Sequence, residues 1–183
     1  MSTQLKSLIP DAMVIIRLHE MGLWEELCDQ TAVVVPSTIV HESVFYVEPS
    51  SRERVEIELE SQVLEGEISQ VTATAEDMAQ FMTQFDAVMV ENLHPGEVEA
   101  LTLMHKGRVT DALFCSADQA AVKALVLVGM NDRGISLEDA LKATGLRGAG
   151  RVGEQYCRAR FTQWVREAVL DRLQGRGLAR DPF

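Results

Sequence analysis

Five acids stand at positions where side chains do chemistry: Asp11, Glu42, Glu97, Glu99 and Asp118. Asp11 follows a short apolar stretch, and Asp118 follows the segment ending Cys115-Ser116. Glu97 and Glu99 sit just inside a stretch opened by Pro95-Gly96, and Glu42 is an isolated acid flanked by Val40, Val44 and Phe45. Carboxylates brought together from separate segments can hold Mg2+ or Mn2+, hard cations that prefer oxygen ligands. Such an ion activates a water and neutralises charge developing on a phosphate oxygen, so the chemistry is phosphodiester hydrolysis. It needs neither His nor Cys. Acids at helix starts are also favoured by the helix dipole alone, by a few tenths of a kcal/mol, so position fits both a metal site and plain end-stabilisation.

The elements that would position these acids follow from periodicity and punctuation. Residues 5–10 read as a strand closed by Pro10, and residues 12–26 as an amphipathic stretch that Gly22 divides into two helices. Residues 31–36 (TAVVVP) have the profile of a buried strand. A helix is expected over 37–46, a loop over 48–54, alternating apolar and acidic residues over 55–63, and a strand over 66–71. Helices over 74–85 and 95–105 follow, the second stopped by Gly107. Next come a strand over 110–116, a helix over 118–125, a strand candidate over 126–130, and a turn over 131–134. Ser136 caps a helix running to Ala143, residues 145–153 read as a flexible link rich in Gly and Arg, and residues 154–173 as a final amphipathic helix. Strands alternating with helices predict an α/β fold, with a central parallel sheet covered on both faces. In such sheets functional groups gather where strands end and helices begin, which is where most of these acids lie.

Composition sets limits on function. The chain has 183 residues, 46% hydrophobic and 25% charged, enough for one domain with a sizeable core. No apolar run is long enough for a membrane span, and the polar start predicts no signal peptide. Cys28, Cys115 and Cys157 are three in number and in no metal-ligand spacing, which points to reduced thiols in a cytoplasm. The net charge of −11 is uneven: residues 1–146 hold 24 acids against 9 bases, and residues 147–183 hold 8 Arg against 4 acids. The acidic body repels a polyanion unless metal ions or a local cation intervene.

Four segments taken in order carry a resemblance. They are Asp11-Ala-Met-Val-Ile-Ile, Val33-Val-Val-Pro-Ser-Thr-Ile-Val-His-Glu42, His94-Pro-Gly-Glu-Val-Glu-Ala-Leu101 and Phe114-Cys-Ser-Ala-Asp118-Gln-Ala-Ala. In order, interval and context they resemble the PIN-domain family of nucleases, over residues 5–141. The resemblance implies a three-layer α/β/α sandwich with its acids converging at the carboxyl edge of the sheet. It implies Asp11, Glu42 and Asp118 as ligands of Mg2+ or Mn2+, with a fourth acid at Glu97 or Glu99. Those two point about 160° apart on a helix, so at most one faces the cluster squarely, and the family pattern leans to Glu99. The implied activity is that of an endoribonuclease, with RNA as substrate. Relatives act as toxins paired with a small antitoxin protein, and they commonly form homodimers. Two departures stand out. Ala117 precedes Asp118 where relatives often have a second Asp, and Val122 stands where they have Arg. Both weigh toward an alternative, a non-enzymatic PIN-like module that binds a protein partner.

On this reading residues 1–146 form the PIN-like domain, and residues 147–183 a link and helical extension outside the resemblance. Phe161, Trp164, Val165 and Ala168 make an apolar stripe on that helix, which must be covered by the domain, a second copy or a partner. The homodimer expectation rests on this stripe as well as on the family. The four His residues fall in no metal spacing and read as surface or capping groups.

Overall fold

The computed structural model describes residues 5–42 and 44–179; the polar start at residues 1–4 lies outside the described residues, as do Ser43 and residues 180–183. The chain begins with β1 (Ser7–Pro10), α1 (Ala12–Glu20), α2 (Trp24–Gln30), β2 (Ala32–Pro36) and α3 (Ser37–Val40). A hairpin of β3 (Val44–Val47) and β4 (Arg54–Ile57) leads to α4 (Leu59–Glu65) and β5 (Ser69–Val71). Then come α5 (Ala75–Met82), α6 (Ala87–Asn92), α7 (Pro95–His105), β6 (Ala112–Cys115) and α8 (Gln119–Leu127). The chain continues through β7 (Gly134–Ile135), α9 (Leu137–Thr144) and α10 (Arg158–Leu173).

Five strands form one sheet in the order β5-β2-β1-β6-β7, every pair parallel. The fold is therefore α/β, a parallel sheet flanked by helices as a three-layer α/β/α sandwich. The register pairs Pro10 with Cys115, and Cys115 with Ile135, so the carboxyl ends of β1, β6 and β7 share one edge. Side-chain alternation along each strand divides the core in two. Leu8 and Cys115 face a cluster with α1, α2, α9 and the hairpin, whereas Ile9 and Phe114 face α5, α6, α7 and α8.

Three stretches differ from the sequence expectation. Residues 37–46 are not one helix, because α3 stops after Val40 and Val44-Phe-Tyr-Val47 pairs antiparallel with Arg54–Ile57. A β-branched and aromatic run with a partner strand prefers the pleated state. Residues 126–130 are not a strand: Val126 and Leu127 finish α8 in the core, and Gly129 at φ +83° turns the chain away. The edge strand is Gly134–Ile135, where a Cβ on Gly134 would stand 2.6 Å from Leu125 and 2.8 Å from Phe161. Residues 145–153 are packed rather than a free link. The Arg17 guanidinium donates to the carbonyls of Arg151 at 2.8 Å and Val152 at 2.9 Å, and Val152 is buried.

Candidate metal centre

Asp11 is the first residue after β1. Its own N–H donates to the Cys115 carbonyl at 3.0 Å, which extends the β1–β6 pairing one step past Pro10. Its carboxylate is then shared between two segments. Oδ1 accepts from Val14 N at 2.7 Å and caps α1, while Oδ2 accepts from Ala117 N at 3.0 Å. Only 2% of Asp11 is exposed. Burial raises its pKa, against the Ser116 hydroxyl and the two backbone N–H groups, and the charge of Asp118 adds to the rise.

Asp118 caps α8 from the end of the neighbouring strand. Oδ1 accepts from both Ala120 N at 2.7 Å and Ala121 N at 3.0 Å, and its own N–H donates to Ser116 Oγ at 3.0 Å. Oδ2 takes neither capping bond. Ser116 thus touches both acids, and sequence reasoning passed over it. Its signal was a Ser two residues before an Asp at a strand-to-helix junction.

Glu97 and Glu99 lie in the first turns of α7 and part company there. Glu97 reaches back so that Oε2 accepts from His94 N at 3.0 Å. It is buried, and burial first, then the charges of Asp118 and Asp11, push its carboxyl up to about 8. Glu99 is buried on the other side, where its carboxylate accepts from Ser37 Oγ at 2.7 Å, Thr38 N at 2.7 Å and Ala73 N at 2.9 Å. Burial acts to raise its pKa, but these donors outweigh it and hold the carboxyl below its usual value. The lean toward Glu99 therefore gives way: Glu97 stands with Asp11 and Asp118, and Glu99 ties α3 and the end of β5 to α7.

Glu42 is exposed just beyond α3 and lines a cavity of about 190 Å³ together with Asp11, Met13, Ile39, His94 and Glu97. The structure thus sets Asp11, Glu42 and Glu97 around one cavity, places Asp118 on a second cavity that shares His94 with it, and leaves Glu99 outside both. Among the described residues, no three His, Cys, Asp or Glu side chains converge closely enough to form a ready-made metal site. The donor chemistry nevertheless suits a hard cation. All three acids offer oxygens, and Asp118 Oδ2 and Glu97 Oε1 take no hydrogen bond among the described residues. Val122 is fully buried, and the next residue, Lys123, lines the second cavity together with Asp118.

No family model, curated protein or solved structure matches this chain.

Proposed function

We propose that this protein is a divalent-metal-dependent endoribonuclease in which Asp11, Glu97 and Asp118 hold Mg2+ or Mn2+, with Glu42 at the rim. The observation that carries the reading is the placement of two buried acids, Asp11 and Glu97, on the wall of one cavity with Glu42, beside the helix cap made by Asp118. Buried carboxyls gathered at one place hold on to their protons unless a cation compensates their charge, and functional sites are where such groups commonly gather. The ordered resemblance to the PIN-domain family supports Asp11, Glu42 and Asp118, leans to Glu99 where the geometry favours Glu97, and supplies RNA as the substrate class. A bound divalent ion would stabilise charge on the phosphate and activate a water. Asp11, locked by two backbone N–H groups, supplies a fixed oxygen edge. Glu97, as its carboxylate, and Asp118, through Oδ2, would be the further oxygen ligands of the ion. The same reading places the protein in a cytoplasm, with an antitoxin-like protein as its regulator and a homodimer as its assembly.

One observation favours the rival, a PIN-like module without catalysis: the acids are not closed into a ready-made site. Incubation of a mixed RNA pool with Mg2+ or Mn2+ separates the two. Wild-type cleavage that is lost in Asp11→Asn and Glu97→Gln supports the nuclease; equal residual signal in all three proteins supports the module.

A further inference from the structure

The acids occupy one end of a longer feature. His94 lines the cavity of Asp11, Glu42 and Glu97, and it also lines a second cavity of about 560 Å³ walled by Asn92, Asp118, Gln119 and Lys123. The two hollows share the His94 wall, with Asp118 on the far side of it. Their linings overlap in kind and differ in one group. The first pairs acids with the apolar Met13 and Ile39, and the second sets Glu91 and Asp118 beside two amides and the ammonium group of Lys123.

Resting on the nuclease reading, we propose that the second cavity is a strand-binding subsite: Lys123 takes the phosphate of a nucleotide flanking the one at the acids. The residue is built for exchange. Lys123 Nζ pairs with Asp171 Oδ2 at 2.7 Å, yet Asp171 is also held by Arg176, whose Nη2 stands 2.6 Å from Oδ1. Lys123 can turn to a phosphate and leave Asp171 paired, so the exchange orphans no charge. Asn92 and Gln119 line the same cavity with amides that donate to the Val88 carbonyl and to Glu167 and offer their carbonyl oxygens to sugar hydroxyls. A cation at this place answers the repulsion that an acidic body presents to RNA, and it does so beside the acids rather than at a distance. It also makes α10, which carries Asp171, part of the machinery that presents Lys123.

The test is binding of a fluorescent 2′-O-methyl octauridine, which resists cleavage, to the full chain in Mg2+ as a function of salt. Lys123→Gln is expected to weaken binding about tenfold and to reduce the salt slope by about 0.7, the value for one single-strand phosphate contact. Lys123→Arg keeps both. Inorganic phosphate at the same concentration does not displace the strand. In wild type, a 4-thiouridine placed in the same oligonucleotide crosslinks to the 118–123 segment, a reading independent of how the variants fold. Unchanged affinity and slope in Lys123→Gln, displacement by dilute phosphate, or crosslinks confined to other segments would overturn the subsite. Loss of cleavage in Asp11→Asn beside unchanged binding in Lys123→Gln would remove the subsite and keep the nuclease. Lys123-dependent binding without any metal-dependent cleavage would do the reverse.

Discussion

Glu97 and Glu99 are two residues apart on one helix and carry opposite charge environments, which makes them the sharpest test at the residue scale. Glu97 is held above its usual range, at about 8, so the folded state binds its proton more tightly than the unfolded chain does. Its favourable contribution is complete below the unfolded value of 4.5 and is lost as pH rises to about 8. Asp11 is shifted in the same direction, so it works with Glu97. Melting curves of the metal-free protein should therefore fall between pH 5 and pH 8, and Glu97→Gln should flatten that fall. A wild-type midpoint that rises across this range counts against the buried acid pair. Glu99 has the reverse sign: its stability is present above pH 4.5 and lost as pH falls below it. Removing its carboxylate strands three donors, so Glu99→Ala should cost about 2–4 kcal/mol in denaturant unfolding, with or without metal. The sequence told that only one of the two can face the sheet edge. It could not tell which, because Ser37, Thr38 and Ala73 reach Glu99 only once β2, β5 and α7 have been brought together.

Elements bring the acids to one place through the β1–β6 pair and the start of α7. The first was legible, since two apolar strands each followed by Asp imply two helix caps at one edge. The position of α7 depends on a close approach that no periodicity reveals. A Cβ on Gly96 would stand 2.4 Å from Ile39 Cγ1, so only glycine lets α7 lie this near α3. Gly96→Ala should destabilise the fold by about 1–3 kcal/mol through that overlap. It should also shift the Glu97 titration toward the ordinary carboxylate range, because α7 backs away from Asp11. An NMR titration that leaves Glu97 in place would show that the contact is not what positions it. The hairpin and the β7 edge were misread for a related reason. Val44–Val47 is set by pairing with Arg54–Ile57 across a loop and Gly134–Ile135 by pairing with β6 across α8, whereas residues 126–130 have strand-like composition but are claimed by α8 and its glycine stop.

At the scale of the whole molecule, the extension beyond residue 146 is part of the same body. Phe161 packs over Gly134, Ala168 is buried, and α10 lies along α8, with Gln119 donating to Glu167 and Lys123 paired to Asp171. Of the stripe that argued for a second copy, Ala168 is buried and Phe161, Trp164 and Val165 are half-buried against the chain's own domain. Truncation after Gly150 removes the buried Val152, Tyr156 and Ala168, and should give a protein that aggregates or melts far below the full chain. An equally stable truncated protein would detach the extension from the fold. Among the described residues, no helix is long and apolar enough to cross a membrane. The acidic body and the uncompensated trio together predict a protein stabilised by divalent ions, by about 2.7 kcal/mol at a hundredfold excess over the dissociation constant. The most direct measurement of the central claim is the melting midpoint titrated with Mn2+ at pH 7 alongside RNA cleavage in the same samples, for wild type, Asp11→Asn and Glu99→Gln. The account predicts a midpoint that rises and cleavage that appears with Mn2+ in wild type, and neither in Asp11→Asn. Glu99→Gln melts lower throughout yet still gains from the ion. A wild-type midpoint indifferent to Mn2+, with no cleavage beyond that of Asp11→Asn, would contradict it.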